Sequence, residues 1–273
     1  MTEFKAYLVD EGKSPGTIKK YIENVGLYQK WYAESYGEGL QRLFRPNILE
    51  YISYLKNIKH LNAKTINGKL SALLKYNEFL GGKLMIIKKD FIKVQTETAS
   101  PTDVTKVDVE KFRQLILKEG GERNYAIVTL LAYAGLRISE ALALKLNDVN
   151  LTSRELIIRS GKGGKQRVVY LNDKIVEAIK GYLEKRSKQD DTGYLFLSNK
   201  GGKLDRTSIN KVFNEHSDKI TPHTLRHFFC TNALESGYSV HEVANQAGHS
   251  NIHTTLLYTN PNIEKMKQKA NLL

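Results

Sequence analysis

Residues 155–171 read ELIIRSGKGGKQRVVYL, and this stretch decides the class of fold that the sequence predicts. Residues 156–159 and 167–170 are rich in β-branched and aromatic side chains and have the period-two pattern that is typical of strands. The glycine-rich residues 160–165 separate them, as a turn does between two paired strands. The stretch therefore predicts an antiparallel hairpin with Lys162 at its tip.

The segments on both sides of this hairpin have apolar residues at helical spacing. Before the hairpin, the pattern predicts helices at 107–118, 124–134 and 138–146. After the hairpin, it predicts helices at 173–185, 207–216, 222–236, 240–247 and 254–258. One small sheet among so many helices indicates a mixed α+β domain in which helices predominate.

The first 80 residues show helical spacing without any strand pattern, and their predicted helices are 4–9, 17–31, 46–55 and 64–80. The composition then changes to Gly81-Gly82, a lysine-rich patch and Ser100-Pro101, which is typical of a linker. We therefore expect a helical domain at 1–82, a linker at 83–104 and a second domain at 105–273. The predicted fold is mainly α, with two domains and a small antiparallel sheet in the second.

The charge of the chain favours a polyanionic partner. Its 42 Lys and Arg residues against 29 Asp and Glu residues give a formal net charge of +13, and the sequence pI is near 9.5. A basic balance of this size is typical of proteins that bind nucleic acid, although a merely soluble basic protein has the same composition. The N-terminal residues lack the apolar stretch of a secretion signal, so we expect a cytoplasmic protein.

The segment His223-Thr-Leu-Arg226-His227 follows Pro222 at the start of a predicted helix. An imidazole and a guanidinium one turn apart can bind a phosphate there, because the helix N-terminus adds backbone donors. The same residue types cap helices or pair with acids in many proteins. His223 and His227 also have the spacing of a metal-ligating pair, but Thr224 stands where a zinc protease carries its catalytic Glu.

Two further segments contain side chains of a similar kind. Gly135-Leu-Arg137-Ile-Ser-Glu140 places a guanidinium and a carboxylate one helical turn apart, which by itself is an intrahelical ion pair. Gly248-His249 is followed, nine residues after the imidazole, by Tyr258. Any one of 15 tyrosines is ordinarily a packing residue, so these segments become informative only through their order.

The chain contains, in this order, an Arg-x-x-Glu, a hairpin Lys, a His-x-x-Arg, a Gly-His and a Tyr. This order closely resembles the motifs of the tyrosine recombinases, or phage-type integrases. The resemblance is strongest to compact Xer-like members, and GLRISEAL, GKGGKQRVVYL, HTLRHFFCTNAL and GHSNIHTTLLYT carry it. It spans residues 105–262, and residues 1–80 resemble the family's helical core-binding domain. The chain departs from the family pattern at Ala247, where a larger leucine is usual, and at Asn260, where many members carry a second histidine.

The resemblance implies a site-specific recombinase that cleaves and rejoins DNA through a 3′-phosphotyrosyl bond to Tyr258. It implies that His223 accepts the phenol proton and that Lys162 protonates the leaving 5′-oxygen, with Lys165 as the alternative acid. The whole implied catalytic set is Arg137, Lys162, His223, Arg226, His249 and Tyr258, with Glu140 as a supporting residue.

The resemblance implies duplex DNA with specific sites as the partner, no metal or cofactor, and a homotetramer in the synaptic complex, with a monomer or weak dimer away from DNA. Helix 64–80 and the hairpin supply the predicted DNA contacts, namely Lys64, Asn67, Lys69, Lys165 and Arg167, although a solvated helix face has the same pattern as the first three. Two other functions have a similar sequence signature: a type IB topoisomerase-like enzyme, and a DNA-binding module that does not cut. The biological role stays open among dimer resolution, cointegrate resolution and phage integration.

Overall fold

The structure is a computed structural model that describes residues 1–40, 42–82, 86–94, 104–159, 166–186, 192–249, 251–258 and 270–271. The chain divides into two compact units, Met1–Thr96 and Glu97–Leu273. Each unit has its own buried apolar cluster. Within the described part of the chain, no helix combines the length and the apolar character needed to cross a bilayer.

The first unit contains the four predicted helices, α1 Thr2–Asp10, α2 Pro15–Tyr36, α3 Arg45–Ser53 and α4 Ala63–Phe79. A π-helical turn, Tyr54–Ile58, continues α3. Polar caps start two of the helices: the Ser14 hydroxyl accepts the Thr17 N–H at 3.3 Å, and the Asn62 amide oxygen accepts the Thr65 N–H at 2.8 Å. Aromatic rings such as those of Tyr28 and Tyr51 fill the core between the helices.

Residues 86–94 pack on this first unit, although the sequence predicts that they are part of a linker. Ile86 is buried in the apolar cluster, and Arg45 donates two hydrogen bonds of 2.7 Å to Asp90. The Asn67 side chain pairs with both main-chain groups of Ile92, at 2.8 and 2.9 Å. The first unit therefore extends beyond the expected boundary at residue 82, because these contacts hold the following segment against it.

The second unit is the predicted mixed α+β domain, and its described residues form seven helices and one three-stranded sheet. The helices are α5 Lys106–Ala134, α6 Ile138–Ala141, α7 Asp173–Lys185, α8 Arg206–His216, α9 Pro222–Glu235, α10 Val240–Ala247 and α11 His253–Leu256. The predicted break within α5 is a kink at Gly121, where φ is 72°. Helix α6 is shorter than predicted, because Leu144 and Leu146 form main-chain hydrogen bonds with Leu195 and Gly193.

The predicted hairpin is present, and it carries a third strand that the sequence pattern did not predict. Strands β1 Val149–Asn150, β2 Glu155–Ile158 and β3 Arg167–Tyr170 form an antiparallel sheet in the order β1-β2-β3. Leu156 pairs with Val169, and both side chains are fully buried. β1 has only two residues, which is too short for a periodic signal. Lys162 and Lys165 lie outside the described residues.

A close contact between the α5–α6 turn and α9 helps to bring the predicted site together. Helix α5 packs against α7 and α9, and it ends at Gly135 with φ of 65°. A Cβ atom at Gly135 would lie 2.2 Å from the Phe229 ring of α9, so only glycine permits this approach. The turn that precedes Arg137 is thereby held against the helix that carries Arg226.

Candidate active site

A cleft of about 610 Å³ in the second unit brings together side chains from four distant segments of the chain. Five of the predicted catalytic residues line it, namely Arg137, His223, Arg226, His249 and Tyr258. The sixth, Lys162, lies outside the described residues. The cleft is of a size that admits a sugar and its phosphate group, and three of its lining side chains are guanidiniums, those of Arg137, Arg206 and Arg226.

Arg226 is a buried cation on the first turns of α9, whose N-terminus is capped by Thr221 through a 3.1 Å bond from the Thr224 N–H. Only 6% of Arg226 is exposed. Its Nη1 donates to the carbonyl oxygens of Gly135 and Ala247, both at 2.7 Å. Burial, with the nearby Arg137, lowers the pKa of Arg226 to about 10, so the guanidinium stays charged at neutral pH.

Arg137 is more accessible and lies at the start of α6. Its main-chain N–H and its Nη1 donate to the two carboxylate oxygens of Glu140, at 2.8 and 2.9 Å. Its Nη2 donates to the Gly248 carbonyl at 2.9 Å. The side chain is 30% exposed, which leaves a guanidinium edge toward the cleft. The predicted ion pair between Arg137 and Glu140 is present.

The end of α10 binds three guanidiniums. Carbonyl oxygens of its last turn and of Gly248 accept hydrogen bonds from Arg137, Arg167 and Arg226. The last carbonyls of a helix lack intrahelical donors and carry partial negative charge, which favours cations there. Gly248 has φ of 70°, and a Cβ atom there would lie 2.5 Å from the Arg167 guanidinium, so a glycine is required.

His249 and Tyr258 follow this turn. The His249 Nδ1 is 2.7 Å from the Thr255 hydroxyl in α11. Its ring is nearly parallel to the Tyr258 ring, at 9° and with centroids 6.2 Å apart. Burial, together with Arg226 and the other arginines, lowers the pKa of His249 to about 4. The imidazole is therefore neutral at pH 7 and can donate a hydrogen bond from one nitrogen.

Tyr258 packs on a small apolar cluster, which consists of Phe229, Cys230, Ala233, Val243 and Ala247. Burial raises the pKa of Tyr258 to about 12; Cys230 raises it further, and Arg226 opposes the change. About one phenol in 10⁵ is then ionised at pH 7. Nucleophilic attack by this oxygen therefore requires a nearby proton acceptor. Cys230 in this cluster is fully buried.

His223 and His227 form a hydrogen-bonded pair with their Nε2 atoms 2.8 Å apart. Two imidazole nitrogens on one tetrahedral zinc ion are about 3.3 Å apart, so this arrangement does not favour a metal pair. In the described part of the chain, no group of three or more potential metal ligands is found. The His227 ring is also 5.0 Å from the Tyr258 ring, and it thus connects the two predicted catalytic side chains.

Several of the side chains predicted to contact DNA form hydrogen bonds within the protein instead. Arg167 bonds Glu140 and backbone carbonyls, because its guanidinium points inward and only 14% of the side chain is exposed. The Asn67 amide is occupied by Ile92. Lys69 donates to the Asn24 amide at 3.3 Å, and burial lowers the pKa of its ammonium group.

Of the predicted contacts on α4, Lys64 is the one that is exposed. Three polar residues that the sequence interpretation did not single out also line the cleft, namely Arg206, Asn210 and Asn214. They lie on one face of α8 at i, i+4 and i+8. Their spacing is visible in the sequence, but a solvated helix face has the same pattern.

Glu140 gives a stability prediction. Although burial raises its pKa, the hydrogen bonds from Arg167 and Arg137 lower it overall. Replacing the carboxylate by an amide leaves two guanidiniums without their counter-charge, so we expect Glu140→Gln to lower the free energy of unfolding by about 3 kcal/mol at pH 7. Urea unfolding measures this loss.

The pH dependence provides a second readout. Because the folded-state pKa of Glu140 is lowered, its stabilising contribution is present above the ordinary pKa of about 4.3 and is lost as the pH falls below that value. The difference between wild type and Glu140→Gln should therefore shrink in acid. The control is Glu215→Gln, whose surface pair with Lys211 should contribute less than about 1 kcal/mol. Equal losses in both variants would contradict the buried role of Glu140.

The family models match nearly the whole chain. Residues 103–265 match the phage integrase family, and residues 1–82 match the phage integrase N-terminal SAM-like domain. The TnP I resolvase of Bacillus thuringiensis is 57% identical over 279 residues, which cover 99% of this chain and 98% of that protein. Tyrosine recombinase XerA of Thermococcus onnurineus is 34% identical and covers 99% of this chain and 95% of its own.

A solved structure agrees in fold. The integrase of the Tn1549 transposon, in complex with transposon right end DNA, aligns with a TM-score of 0.73 and 20% sequence identity. The alignment covers 98% of this chain and 97% of that one. The chain therefore belongs to the phage integrase family of tyrosine recombinases, the site-specific recombinases that cleave and rejoin DNA.

Proposed function

We propose that this chain exchanges DNA strands between two recognition sites through a 3′-phosphotyrosyl intermediate on Tyr258. One observation carries the assignment of the residues: the phenol, the two guanidiniums and the two imidazoles of the predicted catalytic set come from distant segments and line a single cleft. A scissile phosphate bound there contacts cationic and neutral donors on the same face that presents the phenol. The set is suited to phosphoryl transfer, in which positioning and charge stabilisation are the main contributions of the protein.

In the proposed step, the Tyr258 oxygen forms a bond to phosphorus and the bond from phosphorus to the 5′-oxygen breaks. The phenol proton passes to His223, and the leaving 5′-oxygen takes a proton from Lys162. One phosphodiester replaces another, so the bond energy is conserved and the step can reverse. Reversal by the 5′-hydroxyl of a partner strand completes the exchange.

The two guanidiniums stabilise the charge that develops on the non-bridging oxygens. Arg226 is fixed by two backbone carbonyls and Arg137 by Glu140, so neither has to reorganise during the reaction. His249 is neutral at pH 7 and donates to a phosphate oxygen, while Thr255 holds its other nitrogen. Glu140 orients Arg137.

The partner we propose is duplex DNA with paired recognition sites, bound by a homotetramer in the synaptic complex. Because the relative at 57% identity is named a resolvase, we propose that the exchange separates two sites on one molecule, as in the resolution of a fused replicon. Two copies of the site in direct repeat on a supercoiled plasmid should then yield two circles.

The experiment that tests the proposal begins with sheared DNA from the replicon that encodes the chain. Fragments that remain bound to the wild-type protein in detergent contain the site, and a nicked duplex of that fragment traps the covalent adduct. Denaturing electrophoresis measures the adduct, and mass spectrometry of the DNA-linked peptide identifies the tyrosine. An adduct on another residue, or no adduct with any fragment, contradicts the proposal.

The same fragment separates the other two functions. Relaxation of a supercoiled plasmid that lacks the site would favour a topoisomerase-like enzyme. Retention of the fragment only under native conditions, without a covalent adduct, would favour a DNA-binding module. Neither outcome is expected, because the motif order resembles that of Xer-like recombinases and the cleft combines a half-buried phenol with two fixed guanidiniums.

Helix α8 gives a prediction about DNA affinity. Arg206 lines the cleft and is exposed, so we expect it to bind a phosphate beside the scissile one. Arg206→Ala should weaken binding about 5- to 10-fold and reduce the slope of log Kd against log salt by about 1. Fluorescence anisotropy over a salt series measures both quantities.

The matched control is Arg154→Ala. Arg154 is also a surface arginine of the second unit, but it pairs with Asp173 and does not line the cleft. Its affinity and salt slope should equal those of the wild type. An unchanged slope in Arg206→Ala would show that Arg206 makes no phosphate contact.

A further inference from the structure

The Glu140 carboxylate lies at the centre of the arginine cluster and binds two guanidiniums, of which one lines the cleft. Its side chain is 3% exposed. Arg137 donates to it from the main chain and from Nη1, at 2.8 and 2.9 Å. Arg167 donates from Nη1 and Nη2 to the two carboxylate oxygens, at 3.0 and 2.9 Å. This second pair is the two-pronged arrangement that fixes a carboxylate most firmly.

Arg167 also fastens strand β3 to the end of α10. Its Nε and Nη2 donate to the carbonyl oxygens of Gln246 and Ala247, both at 3.2 Å. The Gln246 side-chain amide in turn pairs with the main-chain N–H and carbonyl of Tyr170, at 3.3 and 2.9 Å. Strand β3, the end of α10 and Glu140 therefore belong to one hydrogen-bond network. Arg167 lies on β3 and bonds both Glu140 and the end of α10.

The charge of Arg167 affects the direction of the Arg137 guanidinium. Three guanidiniums and one carboxylate give the cluster a net charge of +2 at neutral pH. If Arg167 were neutral, Glu140 would have Arg137 as its principal partner, and the planar Arg137 fork would be drawn toward both carboxylate oxygens. Donors that face the cleft would then turn away from the phosphate.

We infer that Arg167 is a positioning residue for DNA cleavage: it holds Glu140 and the α10 terminus so that the Arg137 guanidinium stays directed into the cleft. The inference rests on the proposed function, because the role of Arg137 at the scissile phosphate is part of that proposal. Arg167 acts through Glu140 and does not itself line the cleft. This role differs from the phosphate contact that the sequence predicts for Arg167.

The test uses three variants of the full chain. Arg167→Gln removes the charge and the fork, and Arg167→Lys keeps the charge but cannot bind both oxygens in the same way. Arg159→Gln is the matched control, because Arg159 follows the neighbouring strand β2 and pairs with Asp148, outside the cleft. Thermal unfolding establishes which variants are folded at the assay temperature.

The main readout is the single-turnover rate of adduct formation on the nicked fragment at saturating protein. We expect Arg167→Gln to cleave about 10- to 100-fold more slowly than the wild type, because a displaced guanidinium loses its alignment with the phosphate. Arg167→Lys should recover part of this loss, and Arg159→Gln should equal the wild type. The affinity and its salt slope should not change in any of the three.

The pH profile is a readout that a merely structural role would not move. Glu140 is faced by Arg137 from α6, Arg167 from β3 and Arg226 from α9. Without Arg167, the pKa of Glu140 rises, so the carboxylate becomes protonated at a higher pH. The acid limb of the cleavage rate should therefore shift upward in pH in Arg167→Gln and stay in place in Arg159→Gln.

A double-mutant cycle with Glu140→Gln tests the coupling. Residues that act as one unit are not additive, so the double variant should lose no more than the larger single loss. Losses that multiply would show that the two residues act separately and would overturn the inference.

Two other outcomes also overturn it. A salt slope reduced by about 1, with a normal rate at saturation, would make Arg167 a phosphate contact. Arg167 would have no role in cleavage if both of its variants cleaved at the wild-type rate. If Arg167→Gln unfolds, a wild-type rate in Arg167→Lys alone would give the same conclusion. Failure of the proposed function is distinguishable, because the wild type itself would then form no adduct.

Discussion

Tyr258→Phe should bind the recognition fragment and fail to cleave it, with adduct formation reduced by at least about 10⁴-fold. The substitution removes the one oxygen that attacks phosphorus in the proposed reaction and leaves the ring in place. Affinity should change by no more than about threefold, because a single hydroxyl is lost. Denaturing electrophoresis on the nicked duplex and anisotropy on the intact duplex measure the two effects.

The folded state should tolerate this change well. The Tyr258 ring packs on the apolar cluster of α9 and α10, and phenylalanine keeps that contact. The free energy of unfolding should therefore change by less than about 1 kcal/mol. Tyr238→Phe is the control, since Tyr238 is 49% exposed and does not line the cleft. Adduct formation by Tyr258→Phe at the rate of this control would show that the nucleophile is another group.

Arg226→Lys should reduce the cleavage rate about 100- to 1000-fold at saturating protein, although the positive charge is kept. A guanidinium can donate to the Gly135 and Ala247 carbonyls and still present other N–H groups to a phosphate. An ammonium group is a compact charge that cannot occupy both positions. The rate of adduct formation on the nicked duplex measures the loss.

The matched control separates catalysis from stability. Arg186 also donates to two backbone carbonyls, those of Tyr194 and Leu195, at 2.7 and 3.1 Å, but it does not line the cleft. Both lysine variants should lose about 1–3 kcal/mol of stability, since carbonyl acceptors lose their donors. At a temperature where both variants are folded, only Arg226→Lys should cleave more slowly than the wild type. Equal rates in the two variants would mean that Arg226 has a structural role alone.

Most of the secondary structure could be predicted from the sequence, because local chemistry sets it. The bounds of α7 and α10 were predicted to the residue, since caps at Asn172 and Ser239 mark where each helix begins. The hairpin followed from its period-two pattern. Strand β1 was missed, and the predicted end of α6 was wrong, because main-chain pairing with other segments decides both.

The motif order alone identified the family and five residues of the cleft, since chemistry-bearing side chains stand at fixed positions along the chain. The role of each side chain depended on its partners, which no local pattern specifies. Arg167, Asn67 and Lys69 have the charge or polarity of DNA contacts, yet each bonds a residue at least 25 positions away.

The amino-acid sequence by itself determined the two-part helical fold with its small sheet, the family, and the phenol, guanidinium and imidazole groups of the cleft. The tertiary structure decided that three guanidiniums share the end of α10, that Glu140 is buried between Arg137 and Arg167, and that α8 borders the cleft. The physical reason is that electrostatic neighbours and burial depend on distance in space. Neither quantity can be read from separation along the chain.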